Sequence, residues 1–353
     1  MNRHCRRAGS KLLALTMILA LGAGSRGCPR RRERAEAELH RGQALLQLQD
    51  NALARQAFQQ AVRLDPDLAP AYDGLGISSC RLGRLEEARS AFSRAQALDP
   101  TNPGYPFSLG ICETSQGAQG LSPALDVFER AGRLDPKNAG IQLEIGSTLQ
   151  NLGRHREAIA YLQRAIELDP KLFAAYNNLG VSLSTLGEFD RAVELYQQAI
   201  KLHPELAGLS LYSNLGIAFL YQNNLPRAES AFTLETAINP DHLPAHLNLG
   251  NIYATQSRFP EAVREYQRVL SLEPQNRRAR INLAIVYISE KEPAEAQKIL
   301  LELLREFPDD PAGHFYLGKT YSLQGDRTRA NSEFQRAQSL GFKLEPPSPT
   351  AKP

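Results

Sequence analysis

The chain has 353 residues, 42% hydrophobic and 22% charged, with no tryptophan and four cysteines, a composition of folded material that by length alone would make two or three domains. Its formal charge of +3 comes from the first 27 residues, where Arg3, Arg6, Arg7, Lys11 and Arg26 meet no acid; removing those five leaves −2. Nucleic-acid binding is therefore not expected, because no basic stripe is left in the folded part.

At the N-terminus, Arg3, Arg6, Arg7 and Lys11 precede the apolar run Leu12 to Leu21, and the small residues Gly22 to Ser25 follow. This is the order of a secretory leader. The run is shorter than the roughly 20 residues that span a bilayer. With Gly27 and Cys28 the segment resembles a bacterial lipoprotein signal, although Ser25 and Arg26 depart from that pattern. The resemblance implies lipidation of Cys28, a membrane anchor there, and, with Pro29 rather than Asp next, the outer membrane facing the periplasm. The alternative is cleavage near Gly24 or Ser25 and a soluble periplasmic chain. Arg30, Arg31, Arg32 and Arg34 form a basic linker over 28–34, able to meet anionic headgroups at about 1 kcal/mol each.

From residue 35 a pattern returns about every 34 residues, the mark of a repeat solenoid. Ala69 to Pro100 sets the register, with Ala69 as position 1. Position 8 is Gly42, Gly76, Gly110, Gly146, Gly180, Gly216, Gly250, Ala284 and Gly318. Position 20 is alanine throughout, from Ala54 and Ala88 to Ala330. Position 24 is large, as in Phe58, Phe92, Phe128, Leu162, Tyr196 and Tyr266. Position 32 is proline from Pro66 to Pro308, and Phe342 ends the array. Small residues at 8 and 20 let two antiparallel helices approach, and the residue at 24 fills the gap toward the next pair. Proline at 32 cannot continue the second helix.

These positions resemble the tetratricopeptide repeat family over 35–342. The resemblance implies an all-α, right-handed superhelical solenoid of nine helix-turn-helix repeats, with the first helix of each lining an inner groove. Two-residue insertions fall near Gly117 to Gly120 and Ala207 to Ser210. Glu235 takes position 27 of repeat 6, normally small, and is expected to face solvent. The tail 343–353, with four prolines, is expected to be disordered. The last repeat either exposes apolar surface or is covered by Phe342 and Leu344.

The repeats leave no room for a catalytic domain, and no catalytic motif, cofactor or small-molecule substrate is expected. His242 and His246 are read as surface histidines rather than metal ligands. Cys80 and Cys112 are read as small packing residues, although an exported location permits a disulfide.

Position 6 is asparagine in repeats 5 to 8: Asn178, Asn214, Asn248 and Asn282. An amide both donates and accepts, so each can clamp one peptide unit of an extended chain. The row resembles the asparagine ladder in the repeat domain of O-linked N-acetylglucosamine transferases, without their catalytic domain. The alternative is that asparagine before Leu-Gly only supports the helix turn. Position 5 offers no lysine, so a carboxylate clamp on a partner's C-terminus is not expected. The resulting expectation is a non-catalytic scaffold that binds protein partners and assembles an envelope complex, of pilus/secretin or motility type. The alternatives are an accessory that presents substrates to an envelope enzyme and a cytoplasmic scaffold.

Overall fold

The computed structural model describes residues 31–206 and 210–343. The leader 1–27, Cys28 and the tail from residue 344 lie outside the described residues. Among the described residues there are eighteen α-helices and two short 3₁₀ turns, and no strand. The chain divides into two compact units, Met1–Ser182 and Leu183–Pro353. In the first, the helices pair as α1 (Arg31–Gln47) with α2 (Asn51–Leu64), α3 (Ala69–Arg81) with α4 (Leu85–Leu98), α5 (Gly104–Thr114) with α6 (Leu121–Leu134), and α7 (Ala139–Asn151) with α8 (His155–Leu168). Helix α9 (Phe173–Thr185) carries the boundary. The second unit continues with α10 (Phe189–Leu202), then pairs α11 (Leu211–Tyr221) with α12 (Leu225–Ile238), α13 (Leu243–Thr255) with α14 (Phe259–Leu272), α15 (Arg277–Ser289) with α16 (Pro293–Glu306), and α17 (Pro311–Leu323) with α18 (Arg327–Ser339). Helix α1 takes in Arg31, Arg32 and Arg34, which the sequence suggested were linker. Arginine is a good helix former, and Arg32 pairs with Glu36 one turn on.

Each pair is held by a contact between its own two helices. A Cβ on Gly76 would come within 2.6 Å of the Phe92 ring, one on Gly110 within 2.4 Å of Phe128, and one on Gly250 within 2.6 Å of Tyr266. The large side chain at position 24 thus lies on the glycine of its own repeat, rather than only toward the next one. Phe58 does both, since a Cβ on Gly74 in the following repeat would meet it at 2.4 Å. Emptying such a site costs about 3–5 kcal/mol for Phe→Ala. Ala54, Ala88, Ala124 and their equivalents at position 20 are fully buried in the same seam.

The turn inside each repeat is set by position 15. It has positive φ in all nine repeats: Gln49, Gly83, Gly117, Gly153, Gly187, Asn223, Ser257, Lys291 and Gly325. The left-handed residue lets the chain reverse while the last helical carbonyls are capped, as where the Arg84 N–H donates to Ser79 O at 2.9 Å. The insertion in repeat 3 becomes the 3₁₀ turn Gly117–Gly120. In repeat 6, the described part of the insertion is the turn Pro204–Leu206 and left-handed Ser210.

Four of the joints between repeats use position 4. Its side chain donates to the carbonyl of the position-32 proline just before it: Tyr176 to Pro170, His246 to Pro240, Arg280 to Pro274 and His314 to Pro308, at 2.9–3.2 Å. In repeats 7 and 9 the other ring nitrogen meets a glutamate at position 23. His246 Nδ1 lies 2.6 Å from Glu265 Oε2, and His314 Nδ1 lies 2.6 Å from Glu333 Oε2. Both partners of the His246 ring are acceptors, and only an imidazolium can donate to both. The hydrogen bond to Glu265 accordingly raises the His246 pKa above the usual histidine value, against a smaller opposing effect of burial. His246 is therefore a buried joint and not a surface histidine, and His242 Nδ1 caps α13 by accepting from the Ala245 N–H.

Two further expectations are corrected. Glu235 is fully buried and does not face solvent. The insertion leaves α11 with Ser210 as an N-cap that makes no side-chain bond. Glu235 Oε2 supplies the missing acceptor to the Ser213 N–H at 3.2 Å, and Oε1 accepts from Asn239 Nδ2 at 2.7 Å. A carboxylate at a helix N-terminus also meets the favourable end of its dipole. Cys80 and Cys112 are joined as a disulfide between α3 and α5, their Cα atoms 5.8 Å apart, because positions 12 and 10 of adjacent first helices face each other. At the end of the array, Phe342 stacks on Phe315 with ring centroids 4.4 Å apart, so it folds back over the last repeat.

Two outcomes follow from this architecture. Lys291 holds a left-handed conformation that costs a residue with a Cβ roughly 1 kcal/mol or more. Lys291→Gly is expected to raise the unfolding free energy by about 1 kcal/mol in a denaturant melt, and a drop would contradict this. His246 is more basic folded than unfolded, so its contribution is whole below about pH 6.5 and fades as pH rises through the folded value above it. Between about pH 6 and pH 8.5, Tm should fall further in the wild type than in His246→Gln, whereas parallel slopes would remove the charged joint.

Candidate amide-lined binding site

Residues three apart on a helix share a face, so positions 6 and 9 of each odd-numbered helix point the same way. In the second unit this places Asn248 and Asn251 of α13 beside Asn282 of α15. They line a cavity of about 570 Å³ together with Leu220, Tyr266 and Ile285. Every lining side chain is uncharged, and the polar ones present amides and hydroxyls.

The amides are tied to one another. Asn282 Nδ2 donates to Asn251 Oδ1 at 2.8 Å, and the Tyr266 hydroxyl donates to the same oxygen at 2.7 Å. Burial pushes the Tyr266 phenol well above its usual range, so it stays a neutral donor. The first unit repeats the arrangement at Asn178, whose Nδ2 donates to Ser147 Oγ at 2.8 Å. In both cases position 6 of one repeat bonds position 9 of the repeat before it. For Asn248 the equivalent residue is Ile217, which offers no polar atom.

The four asparagines of the sequence pattern therefore do different things. Asn178 lies in the first unit, against Ser147. Asn248 and Asn282 share the cavity of the second unit. Asn214 is half-buried on α11 and is not among the residues that line that cavity. Asn251 and Tyr266 were missed. The signal for Asn251 was present, since it stands at position 9, one turn from Asn248. The signal for Tyr266 was hidden, because position 24 reads as core and only its hydroxyl reaches the cavity.

A lone amide offers a donor and an acceptor. A pair with its orientation set by hydrogen bonds presents them in a fixed order, and the aliphatic walls of Leu220 and Ile285 give an extended chain apolar surface between them. That combination suits a peptide backbone. Cys28 lies outside the described residues, and no described helix is long and apolar enough to cross a membrane.

Tetratricopeptide repeat models match residues 30–69, 39–103, 137–205, 213–277 and 253–317, together more than half of the chain. No curated protein matches it. A tetratricopeptide repeat protein from Parabacteroides merdae ATCC 43184 is similar, with 20% identity and a TM-score of 0.51, covering 69% of this chain and 94% of that one. The APC/C hetero-tetramer Cut9-Hcn1 is similar at 16% identity and a TM-score of 0.50, covering 87% and 73%. YrrB, a TPR protein with an unusual peptide-binding site, has 25% identity and a TM-score of 0.47, covering 54% and 96%. The first two likenesses show the fold alone.

Proposed function

Since the chain belongs to the tetratricopeptide repeat family, we propose that it is an interaction scaffold that grips the backbone of an extended partner segment in the amide-lined cavity of its second unit. The observation that carries this reading is the neutral cavity in which Asn248, Asn251 and Asn282 stand together between aliphatic walls. Amides clamp peptide units without selecting side chains, so the segment is recognised by being extended and by placing apolar residues against Leu220 and Ile285.

The scaffold works outside the cytoplasm. The leader over 1–27 supports export, and Cys28 supports a lipid anchor that holds the chain at the outer membrane, facing the periplasm. The Cys80–Cys112 bond is what an oxidising compartment favours. There it serves the assembly of an envelope machine, of the pilus/secretin or motility type to which its lipoprotein-like start and repeat array first pointed.

The test compares the wild type with a variant carrying Asn248→Ala, Asn251→Ala and Asn282→Ala, both confirmed folded by circular dichroism. Each is captured from crosslinked native envelopes and its partners are quantified by mass spectrometry. The wild type should sediment with the outer membrane, and its specific partners should fall about tenfold in the variant, the effect of losing about 1.4 kcal/mol. An unchanged partner set would make the amides structural, and recovery of the protein unprocessed from the cytosol would end the envelope reading.

A further inference from the structure

The amide-lined cavity of the second unit is uncharged, but its surroundings are not. Positions 2, 6, 9 and 13 follow one another at spacings of three and four, so they form one stripe along each odd-numbered helix. In repeats 6 to 9 this stripe holds no acid and two cations, Arg278 at position 2 of α15 and Lys319 at position 9 of α17. Both are exposed. Arg278 stands one turn before Asn282, about 6 Å along the helix axis, and Asn282 lines the cavity. Lys319 follows Asn251 and Ile285 in the row of position-9 residues, and those two line the cavity as well. Neither cation lines it; they stand beside it, in open solvent.

Neither is neutralised within the fold. Next to Arg278, Arg277 pairs with Asp310 and Arg280 with Glu306. Arg278 itself has no acid partner among the described residues, and neither has Lys319. The Lys319 ammonium lies 4.8 Å from the centroid of the Phe315 ring and 5.6 Å from that of Tyr316. Aromatic faces hold a cation in place without cancelling its charge. Other arginines of this unit are matched, as Arg258 is by Glu229 and Arg268 by Asp241. The first unit differs on both counts. Its stripe includes an acid, Glu144 at position 6 of α7. Its cavity between α3 and α5, of about 200 Å³ beside the Cys80–Cys112 bond, is apolar where Ile77 and Ile111 stand at position 9, and no amide lines it.

Resting on the backbone-binding reading above, we infer that the amide-lined site selects internal acidic segments, in which aspartate or glutamate flanks the clamped apolar stretch. The amides hold the peptide units, and Leu220 and Ile285 take the apolar side chain. Arg278 takes one carboxylate, and Lys319 takes the other. The guanidinium fork matches both oxygens of a carboxylate, and the ammonium is a compact point donor already placed by two rings. An acidic chain meets no like charge on the stripe, whereas a basic one meets two. Amides alone grip any extended backbone, so the flanking cations supply the choice of sequence.

The test uses the full chain and three fluorescein-labelled nine-residue peptides, amidated at the C-terminus and identical except for Glu, Gln or Lys on both sides of an apolar centre. Binding is read by fluorescence anisotropy. The Glu peptide should bind about fivefold more tightly than the Gln peptide, the scale of two exposed ion pairs, and the Lys peptide least. The gap should narrow as salt is raised to about 1 M. Arg278→Gln with Lys319→Gln should bring the Glu peptide down to the affinity of the Gln peptide. Arg278→Glu with Lys319→Glu should make the Lys peptide the tightest. The triple alanine variant of Asn248, Asn251 and Asn282 should weaken all three peptides while their order persists, so the amide clamp and the charge selection fail separately. Equal binding of Glu and Gln peptides would overturn the charge selection and leave the clamp standing, and no detectable binding at millimolar peptide would overturn both. A Glu preference that survives the double glutamine variant would also overturn the proposal, as would a Gln peptide with a free C-terminal carboxylate that binds as tightly as the Glu peptide.

Discussion

One contact is repeated through both units, and the rest depends on it: a large side chain at position 24 pressed onto a glycine, or in repeat 8 the alanine Ala284, at position 8. Phe92 on Gly76, Phe128 on Gly110 and Tyr266 on Gly250 bring the two helices of a repeat closer than any other residue at position 8 would allow. Close packing at this point sets the angle at which the helices cross, and so fixes which side chains of the odd-numbered helix face outward. Positions 6 and 9 acquire their common direction from it. The proposed binding chemistry lies there, and it can vary from repeat to repeat because the seam behind it is nearly constant, with Ala284 standing for glycine in repeat 8.

The seam and the joints respond differently to their surroundings. The seam is largely apolar, with the Tyr266 hydroxyl reaching Asn251 from it. Four joints are polar: a proline carbonyl at the end of one repeat is taken by a side chain at position 4 of the next. Where that side chain is histidine, a glutamate at position 23 completes the arrangement, and at His246 its hydrogen bond raises the pKa of the ring. A solenoid is a chain of nearest-neighbour interfaces, so such joints set the stiffness of the surface that a partner meets. The Cys80–Cys112 bond does the same covalently in the first unit, directly beside the apolar cavity.

Much of this fold was legible in residues. Ala88, Phe92 and Pro100 are each required by local geometry, and a requirement that returns every 34 residues leaves a visible trace. What stayed hidden was of two kinds. Some devices accept several residue types: the left-handed turn at position 15 is glycine in Gly83 but lysine in Lys291, so composition does not mark it. Others depend on pairings across repeats. Glu235 looked like a surface residue because the bare N-terminus it caps is made by an insertion more than twenty positions earlier. The cysteines looked like packing residues because their pairing depends on how adjacent helices are set. The asparagine row was visible, but its division of labour was not: Asn282 is bonded to Asn251, whereas the position-9 residue of the repeat before Asn248 is Ile217, a difference decided by position 9 and not by position 6.

The central functional claim is that partners enter over the odd-numbered helices of the second unit. A competing surface exists on the even-numbered helices, where Leu234 and Ile238 of α12 are 45% and 50% exposed. A photo-crosslinking amino acid placed at Ile285, on the amide-lined cavity, and separately at Leu234 decides between them in living cells. The account predicts partner adducts from Ile285 and few from Leu234. Adducts from Leu234 with none from Ile285 would contradict it and move the binding surface to the opposite face of the repeats.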